Sequence, residues 1–236
     1  MRYFWLSLKA IFIKDIVTEL RAKQVLPTMI VLGMLIVWVL RMASEAVLQS
    51  EAVIGPVALW IAFLFAGLLV QERSFATEQQ QDCIYALLLA PVDEGTIYLA
   101  KMFVNVVLLC IFEIIIVPVV IVAFRLNVNN WPALIGVLLL GNFAISSVGT
   151  LFSAIVQLSR ARGALLSILV LVILMPMMIP ATFALLLVFG AIPPEMAGTG
   201  ALAFVGTFGS AVGYMIVFDA VFVVACWLLF GFAIKE

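Results

Sequence analysis

Few residues in this chain are of a type that does chemistry. Within its long apolar runs only two carboxylates occur, Glu113 and Asp219. A carboxyl inside a bilayer is costly to ionise, so it either relays protons or binds a ligand, or is held neutral by a neighbouring helix. Asn142 and Ser146 are the candidate hydrogen-bond partners of Glu113, and both its readings stay open. Asp219 is expected near the outer end of its span, as an interfacial cap. No histidine is present, which removes the commonest metal ligand and general base. The three cysteines, Cys83, Cys110 and Cys226, have no CxxC spacing and read as isolated thiols. No HExxH, GxSxG or CxxCH occurs, and no GxxxxGK[ST] loop that could cradle a nucleotide. The sequence therefore predicts no catalytic, cofactor-binding or metal site, and a net charge of −1 gives no reason to expect nucleic acid.

The elements that position these residues are membrane spans. The chain is 67% hydrophobic and 11% charged, with a mean hydropathy of +1.32. A soluble domain carries about 25% charged residues. Apolar runs predict an all-α protein with six transmembrane helices, at about 25–43, 53–71, 102–124, 132–156, 164–190 and 212–234. Gly198 to Gly213 reads as a short or re-entrant helix ahead of the sixth, or else as part of a seventh crossing. Span five carries Pro176 and Pro180, each of which removes a backbone donor. They make either a packing kink or a hinge. The run GNFAISSVG, Gly141 to Gly149, is rich in small residues that let helices approach closely.

Residues 1–24 lack the apolar core of a cleavable signal. Trp5, Leu8, Phe12, Ile16 and Leu20 recur at spacings of three and four, which predicts an amphipathic helix in the membrane interface, followed by a permease domain over 25–236. With a cytoplasmic N-terminus, Arg2, Lys9, Lys14, Arg21, Lys23, Arg73, Lys101, Arg160, Arg162 and Lys235 all lie inside, and only Arg41 and Arg125 outside. That asymmetry satisfies the positive-inside rule and places both termini in the cytoplasm. It also places there the longest connection, 72–101.

That connection contains ERSFATEQQQDCIYALLLAP, Glu72 to Pro91. Glu72 and Arg73 end span two at headgroup level. From Cys83 onward, Ile84, Leu87 and Leu88 form an apolar stripe too short to cross a bilayer, with Asp82 as N-cap and Pro91 as terminator. The segment is either a plain connector or a coupling helix that docks in a cytosolic motor.

The ERxF pattern at Glu72–Phe75, LLLAP at Leu87–Pro91 and YLAK at Tyr98–Lys101 resembles the haem exporter B subunit of the cytochrome c maturation ABC transporter, the CcmB family. RARGALLSILVL at Arg160–Leu171, with Pro176 shortly after, resembles the same family, as do the overall length and span order. The resemblance implies an ABC type-II exporter-like (ABC-2) permease in the bacterial inner membrane. It implies a separate cytosolic ATPase subunit, a haem-handling membrane subunit, a haem chaperone in the periplasm and a second permease copy. ATP would be bound by the partner, and haem handled by the complex rather than ligated here. Two other readings remain: a general exporter permease for a drug, lipid or glycan, for which Asn105, Glu113 and Asn142 would line a path, and an intramembrane enzyme or scaffold without a motor.

Overall fold

The computed structural model describes residues 2–22, 24–47, 51–74, 94–158, 163–192 and 206–235. These residues form seven helices: α1 (Arg2–Ala22), α2 (Val25–Val47), α3 (Glu51–Ser74), α4 (Glu94–Ala123), α5 (Trp131–Leu158), α6 (Gly163–Val188) and α7 (Phe208–Lys235). All but α1 are long and apolar enough to cross a membrane, giving six candidate spans among the described residues. The protein is an all-α, multi-pass membrane protein, as its composition requires. In hydrocarbon a backbone without internal hydrogen bonds would lose several kcal/mol per group.

The helix ends follow local chemistry. α4 and α6 both close in Schellman turns. In the first, Leu126 N–H donates to the Ile121 carbonyl at 3.0 Å, and Arg125 takes the left-handed position at φ 48°. In the second, Ala191 N–H donates to Leu186 at 2.8 Å, with Gly190 at φ 66°. Asn130 caps α5 by accepting from Ala133 N–H at 3.2 Å. Thr207 and Ser210 cap α7 reciprocally.

α3 and α5 are the most buried spans, while α2 and α7 turn most of their surface outward. α2 packs on α3 and α4, and α7 packs on α5, α6 and α4. The larger core cluster runs through Met29, Trp60, Phe63, Phe112 and Phe183, with the Phe63 and Phe112 rings edge-on at 5.6 Å. Small residues set the α3–α5 approach. A Cβ on Gly141 would lie within 2.5 Å of two ring carbons of Trp60. A smaller cluster joins Ile11 of α1 to Tyr98, Met102, Leu151, Cys226 and Phe230, where α1 meets the bundle.

Three expectations need correction. α4 begins at Glu94, eight residues before the expected start of span three, so residues 94–101 are helix rather than loop. Lys101 reads as a loop charge because its counter-charge, on Asp15, lies far away in sequence. Asp219 lies eleven residues into α7, about 16 Å from its first residue at 1.5 Å per residue, so it is mid-helix and does not cap an end. It belongs to the buried stripe Ala211, Met215, Asp219, Cys226 and Phe230. In α1, the bundle-facing side is centred on Leu8, Ile11, Phe12, Asp15 and Ile16, while Trp5 and Leu20 are exposed. A second apolar stripe, Leu6, Ile13, Val17 and Leu20, points away from the bundle. α1 thus has two apolar stripes, one packed on the bundle and one exposed.

Candidate functional site

At the α1 end of the bundle, three spans share a buried polar cluster. Gln71 is in the last turn of α3, Asn105 in α4, and Thr150 and Ser153 in α5; each is at most 1% exposed. The Asn105 amide donates both its N–H groups, to Gln71 Oε1 at 3.0 Å and to Thr150 Oγ1 at 2.9 Å. Ser153 Oγ donates to the Gln71 carbonyl at 2.5 Å. That carbonyl is among the last four of α3, which have no acceptor role inside their own helix. α5 therefore satisfies the end of α3. Gly149 makes the space: a Cβ there would lie 2.4 Å from Gln71 Cγ and 2.5 Å from Cδ.

One turn nearer the start of α4, Lys101 Nζ donates to Asp15 Oδ2 of α1 at 3.3 Å. Lys101 is 3% exposed, so an uncompensated charge here would be expensive. Tyr98 is fully buried, donates to the Ser147 carbonyl at 3.2 Å, and packs on Phe230 with ring centroids 5.4 Å apart. Arg73 Nη1 donates to Gln24 Oε1 at 2.9 Å, tying the end of α3 to the α1–α2 junction. Burial pushes the Glu19 carboxyl above the usual carboxylate range, and Arg73 draws it partly back. The YLAK residues Tyr98 and Lys101 are thus buried anchors, and Arg73 is held beside them. Glu72 is half-buried in α3. Phe75, Ile84, Leu87, Leu88 and Pro91 lie outside the described residues, as does the expected coupling helix; so do Arg160 and Arg162, and residues 193–205.

Midway through the bundle Glu113 sits against Asn142, and its Oε1 is buried without a hydrogen-bond partner among the described residues. The Asn142 amide donates to Cys110 Sγ at 3.5 Å. Both Asp219 carboxyl oxygens are likewise buried without a hydrogen-bond partner among the described residues. Pro176 is exposed and Pro180 buried, and α6 runs through both. Towards the opposite end, α2 and α4 enclose a laterally open cavity of about 660 Å³, lined by Met34, Trp38, Met42 and Pro118, with Arg41 at its margin. Arg41 is ion-paired with Glu45 at 3.0 Å and with Glu51 at 2.5 Å.

Sequence reasoning singled out Glu113 and Asn142, and the structure brings them together. It missed Gln71, Thr150, Ser153 and the Asp15–Lys101 pair. Their only signal was polarity inside apolar helices, and Asn105, read as lining a path, spends both its donors inside the bundle.

Residues 6–195 match the protein family described as "CcmB protein". A curated relative from Haemophilus influenzae, named "Heme exporter protein B", is 32% identical over 132 residues, which cover 56% of this chain and 60% of the relative. The chain thus spans about three-fifths of the length of that relative.

Proposed function

The chain belongs to the CcmB protein family, and from that premise we propose that it is the membrane permease subunit of an ABC transporter serving cytochrome c maturation. The observation that carries the reading is the family match over most of the chain. It is supported by the relative's name, and by the buried polar anchors on both flanks of the 75–93 segment. The subunit is non-catalytic. ATP is bound and hydrolysed by a cytosolic partner, which supplies the phosphate-binding loop absent from this sequence. Haem is the cargo of the complex and is held by a haem-handling membrane subunit and a periplasmic chaperone, whose haem-loaded form is released at the expense of ATP. A second permease copy completes the membrane unit. The protein sits in the bacterial inner membrane with both termini cytoplasmic, because the basic residues then fall inside.

The stretch Glu72–Pro91 seats the ATPase. Ile84, Leu87 and Leu88 form a short apolar stripe that needs a partner groove to be buried. Phe75 and Pro91 bound the contact, and Glu72 and Arg73 set the angle at which the chain leaves α3. Pro176 and Pro180 give α6 its hinge. A second reading, an exporter of other amphiphiles, draws on the lateral cavity between α2 and α4.

The test is co-purification. Leu87→Asp and Leu88→Asp should each release the ATPase while the permease stays inserted, since losing one buried anchor costs about 2 kcal/mol, roughly thirtyfold in affinity. Retention of the ATPase at wild-type stoichiometry by both variants refutes the seat. ATP hydrolysis by partner-free permease refutes the assignment of catalysis.

A further inference from the structure

We propose that Gln71, Asn105, Thr150 and Ser153 form a transmission joint, which passes displacement of the 75–93 segment into α3, α4 and α5 as one body. This rests on the reading that the segment seats an ATPase.

The geometry places the joint between the segment and the rest of the bundle. Gln71 is three residues before the end of α3, about 5 Å along the axis, and Asn105 is eleven residues after the start of α4, about 16 Å. Their side chains meet at 3.0 Å, so α4 extends about 12 Å further than α3 towards the segment. A load on the segment enters α4 through this extension. Along it α4 is held by Tyr98 on the Ser147 carbonyl of α5 and by Lys101 on Asp15 of α1, and just beyond it by Asn105. Apolar helix faces in a bilayer pack without directional preference and slide at little cost, because lipid is as apolar as leucine. Hydrogen bonds have fixed distances and angles. Here Asn105 bonds α3 and α5 at once, and Ser153 bonds the α3 backbone. The α3–α4–α5 triangle is closed on all three sides by polar contacts. Gly149 lets α5 approach the Gln71 side chain so closely that a Cβ there would overlap it. Movement of α4 must then carry α3 and α5 with it.

The joint makes these four residues positioning residues, so the decisive readout is the yield of released haem-loaded chaperone per ATP. The experiment uses the permease reconstituted in proteoliposomes with its ATPase, haem-handling subunit and chaperone. Thr150→Val keeps the side-chain shape and removes the hydroxyl. Asn105→Leu removes the amide at similar size. Thr150→Ser retains the hydroxyl. ATP hydrolysis and release of the haem-loaded chaperone are measured together. Thr150→Val and Asn105→Leu should keep the ATPase bound and hydrolysing, while haem-loaded chaperone released per ATP falls about tenfold. Thr150→Ser should keep the wild-type ratio. A wild-type ratio in both Thr150→Val and Asn105→Leu overturns the joint. Failure of both variants to assemble with the ATPase also overturns it, because the cluster would then serve folding alone. A wild-type complex without ATP-dependent release of haem-loaded chaperone overturns the proposed function, and the joint with it, a result distinct from either of the others.

Discussion

Gly149→Ala tests the packing around Gln71 directly. The new methyl would lie 2.4 Å from Gln71 Cγ, 2.5 Å from Cδ and 2.8 Å from Nε2. The first two atoms are mid-chain, and the amide beyond them is held by Asn105, so the side chain cannot swing aside without breaking a buried bond. Overpacking of this kind costs about 1–3 kcal/mol. The broken Asn105–Gln71 hydrogen bond adds about 0.6 kcal/mol, the average for bonds between membrane helices. Against this, alanine is a better helix former than glycine by about 1 kcal/mol. The net expectation is a loss of about 0.6–2.6 kcal/mol. A double-mutant cycle sharpens it. In a Gln71→Ala background the obstacle is gone, so Gly149→Ala should be neutral or stabilising by up to about 1 kcal/mol. Reversible unfolding in detergent, followed through the five tryptophans, measures both legs. If Gly149→Ala destabilises equally in both backgrounds, or in neither, the close approach of α5 to Gln71 is refuted.

Other outcomes follow from the same geometry. Asp15→Ala removes the ion pair that Lys101, 3% exposed, makes with Asp15 and leaves Glu19 as an α1 carboxyl that still acts on it; the loss should be real but below the about 3–5 kcal/mol of an uncompensated buried charge, read as protease cleavage within residues 2–22 and a lower unfolding midpoint. Glu19 is an acid whose pKa burial raises in the folded state. At this group the folded protein then holds more protons than the unfolded one, so the contribution of Glu19 to stability is most favourable at acid pH and falls as pH rises through the window above the unfolded carboxylate pKa. Glu19→Gln should flatten that part of the stability profile and raise the midpoint at neutral pH; an unchanged profile counts against a buried Glu19. Asp219→Asn removes no hydrogen bond among the described residues, so the unfolding midpoint should hold or rise, and a clear fall would mean that the carboxyl has a partner elsewhere.

How much was legible beforehand depends on the kind of signal. The positions of the six spans came from apolar runs, because a backbone in hydrocarbon has no alternative to the helix once the run is long enough. The small residues of Gly141–Gly149 pointed to close packing, and Gly141 and Gly149 do lie against Trp60 and Gln71. Glu113 and Asn142 stood out because polar groups are rare in such runs, and they lie together.

The rest was decided by tertiary structure, and for one physical reason. When a helix is apolar all round, periodicity does not say which face is buried. Asp219 is on the buried stripe of α7 only because Ala211, Met215, Cys226 and Phe230 pack there. Charges are legible as helix ends only if they are solvated. Lys101 was read as the edge of a loop, yet it is buried, because Asp15, 86 residues away, neutralises it. Gln71, Asn105 and Thr150 meet across separations of 34 and 45 residues. No local pattern records such pairings. Sequence determined that this chain forms apolar helices without a nucleotide-binding loop of its own; only the folded bundle decided which polar residues meet within it, because a buried donor and acceptor recognise each other by position in space.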